Sequence, residues 1–234
     1  MYNGKRISIV IPAYNEESAI AKVVKEFSLP IVDEVVVVDN NCTDRTALFA
    51  QRAGARVVKE HKQGYGFSCR KALESAKGDV IVLTEADDTF SSNDVAKLLE
   101  YIGDADMVLG TRTCMQLVEK GANMGGFFLK WGNICIAKLL QTLYGNVRLT
   151  DVGCTFRAIR KKSLDKISGK FRVGGSTFSP EMIFEALKAG LKVVEVPVHY
   201  RKRIRVGTIT SGGKVKAFKV GLKMIWLIVT RRFS

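Results

Sequence analysis

The stretch DVIVLTEADDTF, Asp79–Phe90, runs from a block of branched aliphatics into three acids within four positions, Glu85, Asp87 and Asp88. Val80 to Leu83 are uninterrupted apolar residues, the pattern of a strand buried on both faces. Acid at the end of such a strand has two readings, a divalent-cation site or a solvated acidic turn. Its neighbours decide the fold. RISIVIPA (6–13), DEVVVVD (33–39), ARVVKE (55–60), DVIVLTEAD (79–87) and ADMVLGTR (105–112) read as successive strands. Between them NEESAIAKVVKEF (15–27), TDRTALFAQRAG (43–54), GFSCRKALESAKG (66–78) and SSNDVAKLLEYIG (91–103) carry helical patterns. Strands alternating with helices predict an α/β fold around a mostly parallel sheet.

Asn15 is placed to cap the first helix, with Glu16 and Glu17 at the positive end of its dipole. Asp44 reads as the cap of the second, which Gly54 ends. In open α/β sheets ligands bind beyond the carboxyl ends of the strands. Pro12–Glu16, Asp39–Asp44 and Glu85–Asp88 all fall at such ends, so three polar clusters converge on one rim. From about residue 121 the texture changes. GANMGGFFLKWGNICIAKLLQTLYGN (121–146) is a long apolar helical segment, followed by TDVGCTFRAIRKK (150–162), a helix SPEMIFEALKAG (179–190) and a strand LKVVEVPVHY (191–200). The tail from Arg201 is basic and then apolar, and VGLKMIWLIVT (220–230) reads as an interfacial helix or a buried core helix.

With 37 Lys and Arg against 23 Asp and Glu, the 234-residue chain carries a net charge of +14. That favours a polyanionic partner: nucleic acid, an anionic membrane surface or a phosphorylated substrate. A nucleic-acid role fits poorly, because no aromatic platform interleaves with the cations and the acidic rim repels phosphate unless metal is bound. The five cysteines are scattered without ligand spacing, which indicates neither a zinc site nor a disulfide framework and fits a reducing cytosolic setting. The start MYNGKRISIVIP has a short apolar run ended by proline, unlike a signal peptide. No segment reaches the length of a membrane span. His61 and His199, the two histidines, have no ligand partner at useful spacing.

A cation held by acids after a strand suits a leaving diphosphate, whose charge must be neutralised. Glu85-Ala86-Asp87 points both acids the same way if the loop stays extended, and Asp39 can accept from a base N–H or a ribose hydroxyl. There is no GxGxxG or GxxxxGK[ST] loop, and KQGYG (62–66) is only a weak glycine cradle.

Taken in order, VIPAYNEE, VVVVDNNCTDRT, KGDVIVLTEADDTF, VLGTR, WGNICIAKLLQTLYGNVRLTDVGCTFRAIRK and AGLKVVEVPVHYRKR resemble the family-two glycosyltransferases of the GT-A fold over roughly residues 6–210. The likeness is to the polyprenyl-phosphate branch, the dolichyl-phosphate glucose and mannose synthases, the glucose type foremost. The resemblance implies a GT-A domain at 1–210, with a nucleotide-binding half (1–112) and an acceptor half (113–210), then a basic amphipathic segment at 211–234. It implies that Pro12, Tyr14, Glu16, Asp39, Glu85, Ala86 and Asp87 line the nucleotide site. Asp87, with Glu85 as partner, would hold Mg2+ or Mn2+. Arg112, Arg157, Arg201, Arg203 and Arg205 would clamp acceptor or donor phosphates, and Asp151 would position them first and serve as general base second. The chain departs from the pattern at Glu85, where Asp is usual, at Asp88 and Thr155, where small residues are common, and at Ile134, where Arg is frequent.

The implied activity is metal-dependent, inverting transfer of a sugar from a nucleotide-sugar, UDP-linked in preference to GDP-linked, to a polyprenyl or dolichyl phosphate. The implied location is peripheral, at the cytoplasmic face of a membrane. Two alternatives stand beside it: a glycosyltransferase with a soluble saccharide acceptor, and a non-catalytic nucleotide-sugar-binding protein.

Overall fold

In a computed structural model, residues 1–122, 127–145, 147–204 and 213–232 are described, without the side chains of 127–130 and 213–220. Branched aliphatics build the first three strands, β1 (Ile7–Ala13), β2 (Glu34–Asp39) and β3 (Arg56–Lys59). β4 (Val80–Leu83), β5 (Met107–Thr111), β6 (Arg157–Arg160) and β7 (Val193–Pro197) complete one sheet in the order β3-β2-β1-β4-β6-β5-β7. All neighbours are parallel except β6, which runs antiparallel between β4 and β5, pairing Leu83 with Arg157 and Val108 with Ala158. The sequence texture around RAIR gave no strand signal, because four residues containing two arginines lack an apolar period. Tertiary pairing makes them a strand.

The helices are α1 (Ile20–Phe27), α2 (Thr46–Arg52), α3 (Tyr65–Ser75), α4 (Val95–Tyr101), α5 (Phe127–Tyr144), α6 (Lys161–Ile167), α7 (Phe178–Lys188) and α8 (Gly213–Arg232). The sheet's alternation sorts the core into two layers. Ile7, Ile9, Ile11, Val35 and Val37 meet α1 and α4, while Val10, Val36, Val38, Ile81 and Leu83 meet α3, α5 and α7. α8 closes the second layer: Ile228 is fully buried, and its carbonyl accepts from the Tyr144 hydroxyl at 3.1 Å.

Asn15 does not cap α1, which begins five residues later at Ile20. Asn15 takes a left-handed conformation (φ 54°), and its Oδ1 accepts from Thr43 N at 2.8 Å. The next amides are satisfied across the loop as well, Glu16 N by Thr46 Oγ1 (2.8 Å) and Glu17 N by Asp44 Oδ2 (3.3 Å). With those donors already engaged, no helical turn is needed to satisfy them. Asp44 Oδ1 accepts from Thr46 N, the first residue of α2, at 3.0 Å, so its capping role is met one residue ahead of the helix boundary. β4 is also shorter than expected: it stops at Leu83, releasing Thr84–Asp88 as a loop at the rim.

Candidate active site

Three strand ends are tied together at the carboxyl rim. Asn40 N donates to Ala13 O at 3.0 Å, and Thr84 N donates to Val10 O at 3.1 Å, binding the loops after β2 and β4 to β1. Pro12 is buried beneath them, Tyr14 is 44% exposed above, and Asp39 is half-buried, its Oδ1 accepting from Cys42 N at 2.8 Å. Asn40 reaches the start of α3: its Nδ2 donates to Lys62 O (2.7 Å), and its Oδ1 accepts from Gly64 N (2.9 Å). The glycine-rich KQGYG segment is therefore anchored to the same rim as Asp39.

The three acids after β4 divide into distinct roles. Asp87 is buried; its Oδ1 accepts from Thr89 Oγ1 at 2.6 Å and Thr89 N at 3.1 Å, and its Oδ2 lies 3.2 Å from Arg203 Nε. Glu85 is partly buried and accepts from Thr155 Oγ1 at 2.7 Å. Burial, and then the neighbouring Asp87 charge, push its carboxyl up to about 7. Asp88 is turned away, with φ 67° and contacts to Lys22 Nζ (2.5 Å) and Arg201 Nη1 (3.4 Å). It is a turn residue held by cations. Ala86 is buried in the core layer below.

The expected phosphate clamp separates in the same way. Arg203 bridges the acids, pairing with Glu16 Oε1 as well as Asp87, and it is largely buried. Arg112, at the end of β5, forms a fork to Asp151, Nε to Oδ2 at 2.8 Å and Nη2 to Oδ1 at 3.0 Å, and stacks 5.1 Å from the Tyr200 ring centre. Arg157 does not reach the rim. It is 1% exposed, and its guanidinium donates to the carbonyls of Cys154, Thr155 (3.3 Å) and Ser179 (3.0 Å). Burial lowers its pKa. Arg201 is spent on Glu26, with both nitrogens 2.9 Å from its carboxylate, and on Ser91. Arg205 lies outside the described residues. Ile134 is half-buried on α5.

Asp151 is buried and saturated. It accepts from Arg112 N, Nε and Nη2, from Gly153 N (3.0 Å) and from Asn133 Nδ2. Burial alone would raise its pKa, but the Arg112 charge and these donors hold it below the ordinary carboxylate value. Behind it Glu195 of β7 accepts from Thr150 N, Thr150 Oγ1 and Asp151 N, fixing the loop. Sequence reasoning missed Asn133, Thr89, Tyr65 and Glu195, and noted Thr155 only as a departure. Their partners lie far along the chain in most cases, so no local motif marks them.

Among the described residues no group of three or more His, Cys, Asp and Glu converges as a metal cage. Two adjacent carboxylates are what remains, and they fit Mg2+ or Mn2+. Such a cation is commonly held by one or two carboxylates, with substrate phosphates and water completing its oxygen shell. The burial and the Asp87 charge that raise Glu85, and the placing of Arg203 on Asp87, both mark a site that favours positive charge.

The strand order, the antiparallel β6 and the acidic loop after β4 define a GT-A fold. The profile of Glycosyl transferase family 2 matches residues 8–168, and the chain belongs to that family, as a glycosyltransferase. It is 34% identical over 206 residues to the Dolichyl-phosphate hexose transferase of Haloferax volcanii, covering 86% of each chain. To the low-salt glycan biosynthesis hexosyltransferase Agl6 of the same organism it is 31% identical, across 84% of this chain and 48% of that one. Glucosyl-3-phosphoglycerate synthase from Mycobacterium tuberculosis, crystallised with Mn2+, UDP-glucose and phosphoglyceric acid, superposes with a TM-score of 0.73 at 21% identity, over 98% of this chain and 80% of that one.

Proposed function

We propose that this glycosyltransferase moves a hexose from a UDP-sugar to a polyprenyl or dolichyl phosphate at a membrane surface. The observation that carries the lipid acceptor is the outer face of α8. Leu222, Ile225, Trp226 and Val229 recur at helical spacing and are exposed, Trp226 by 69%, while Ile228 anchors the opposite face in the core. Lys223 is exposed beside this stripe, and Arg231 and Arg232 follow it in the last turn. Apolar and cationic groups on one helix suit the interface of an anionic bilayer. No helix among the described residues is long and apolar enough to cross a membrane, and the contact proposed for α8 is peripheral. The name of the Haloferax relative supports the acceptor class, and the cytoplasmic face follows from where nucleotide-sugars are made available in this reading.

In this reading residues 1–112 bind the nucleotide and 113–210 the acceptor. Tyr14 and Asp39 hold the base and ribose, while Asp87 and Glu85 would hold the divalent cation. Bound there, the cation would neutralise the charge of the departing diphosphate. An acceptor phosphate is ionised near neutral pH and needs placement and charge neutralisation more than deprotonation. Arg203 and Arg112 supply those charges while held in place by their carboxylates, Glu16 and Asp87 for Arg203 and Asp151 for Arg112. Asp151, already accepting five donors, orients Arg112 and takes no proton. The displacement is single and inverts the anomeric carbon.

A second reading, transfer to a soluble acceptor, draws support from the fold likeness to the phosphoglycerate enzyme. The test is incubation with radiolabelled UDP- or GDP-hexose, Mn2+ or Mg2+, and a polyprenyl phosphate, followed by extraction. Label in the organic phase, lost in Asp87→Ala, is the expected result. Label only in a water-soluble product would overturn the lipid acceptor, and full activity of Asp87→Ala would overturn the metal assignment.

A further inference from the structure

Glu85 is held by a chain of hydroxyls that comes from two distant parts of the sequence. Thr155, buried at the entry to β6, has its Oγ1 2.7 Å from Glu85 Oε1 and 2.6 Å from the Tyr65 hydroxyl at the start of α3. A hydroxyl owns one proton. In the ionised state that holds a cation, the carboxylate only accepts, so Thr155 gives its proton to Glu85 and accepts from Tyr65. The order Tyr65 to Thr155 to Glu85 is therefore fixed in one direction.

Both ends of this chain are braced. Arg157 donates to the Cys154 and Thr155 carbonyls, which fixes the backbone carrying the threonine. At the other end, Gly64 N donates to Asn40 Oδ1 at 2.9 Å and Gly66 N to Gly174 O at 2.9 Å, which fixes the turn carrying the tyrosine. On the far side of the carboxylate, Glu85 Oε2 lies 3.5 Å from Thr89 Oγ1. That hydroxyl spends its single proton on Asp87 Oδ1 at 2.6 Å. One oxygen of Glu85 is thus committed to the hydroxyl chain, while the other is left beside the oxygens of Asp87.

We propose that the Tyr65–Thr155 hydroxyl pair is a positioning device that holds Glu85 Oε1 and presents Oε2 alongside Asp87, so that both carboxylates receive one divalent cation. Tyr65 and Thr155 act through Glu85 and touch neither the cation nor the donor. The inference rests on the reading of Glu85 and Asp87 as the cation site.

The test is Mn2+ binding, read from the electron paramagnetic resonance signal of free Mn2+ with UDP present, on the full chain. Thr155→Val keeps the volume and removes the hydroxyl; it should weaken Mn2+ binding about tenfold, the worth of one hydrogen bond to a charged group. Tyr65→Phe removes one oxygen only and should weaken binding several-fold. Thr155→Ser should restore affinity to within about twofold of the parent, which a packing role for the methyl would not do. In a Glu85→Ala background Thr155→Val should have no further effect, because the two then act as one unit. At saturating Mn2+ the loss should appear as a raised metal requirement with kcat largely retained. Parent-like Mn2+ binding by both Thr155→Val and Tyr65→Phe would overturn the inference while leaving the cation site standing. An equal loss in the Glu85→Ala background would do the same. A parent protein that binds no Mn2+ with UDP would overturn the cation site and the inference together.

Discussion

Removing Asp151 is the sharpest test of how this site is built. Asp151 is fully buried and accepts from two guanidinium nitrogens, two backbone amides and the Asn133 amide. Arg112 is 12% exposed and would lose its fork partner, keeping the Tyr200 ring and the more distant charge of Glu85. Removing one member of a buried ion pair costs about 3–5 kcal/mol, since the desolvated partner stays behind uncompensated. Asp151→Ala should therefore lower stability by about 3–5 kcal/mol, a large share of the roughly 5–15 kcal/mol that holds a domain of this kind. Arg112→Met should fall in the same range. The double variant should lose at least about 2 kcal/mol less than the sum of the two, because the pair is lost once. Urea unfolding of the four proteins measures this cycle. A loss below about 1 kcal/mol in Asp151→Ala, or strict additivity, would refute the saturated-pair reading. A kinetic corollary separates positioning from proton transfer: the acid limb of the pH–rate profile should persist in Asp151→Asn. Its disappearance would restore Asp151 as a base.

Three further outcomes are expected. Asp151 has a folded pKa below its ordinary 3.8, so its pair contributes stability that is fully present above that value and is lost as pH falls through the folded pKa; Asp151→Asn should flatten the acid side of the stability profile, measured by unfolding between pH 2 and 6. Gly66→Ala would place a Cβ 2.4 Å from the Val173 carbonyl oxygen and 2.8 Å from Gly174 C; it should cost about 1–3 kcal/mol and displace the turn that carries Tyr65, seen as a lowered Tm. Replacing Leu222 and Trp226 together by Ala should reduce binding to anionic phospholipid vesicles by about tenfold or more in a flotation assay, with the melting temperature little changed, since both side chains are exposed.

Much of the candidate site was legible in the order of its motifs. Asp87, Glu85 and Asp39 were assigned to the rim because each follows an apolar strand, and a parallel sheet gathers its strand ends on one side. The arginines were not legible in the same way. Arg157 and Arg201 carry the same charge as Arg112 and Arg203, and Arg201 stands two residues from Arg203. One is buried on backbone carbonyls, and another is spent on Glu26. The cap expected of Asn15 failed for a related reason: its side chain and the next amides bind Thr43, Asp44 and Thr46 across the loop, and the helix starts at Ile20.

By itself the sequence determined the alternation of strand and helix, the sheet's parallel character and the acidic loop after Val80–Leu83, because burial and chain periodicity are local properties. The tertiary structure alone decided which charges face one another. It set the antiparallel RAIR strand between β4 and β5, turned Asp88 toward Lys22, closed five donors on Asp151 and joined Tyr65 to Glu85 through Thr155. Those contacts span tens of residues. Hydrogen bonds and ion pairs act within a few ångströms in space whatever their separation along the chain, so only the folded arrangement determines which groups meet.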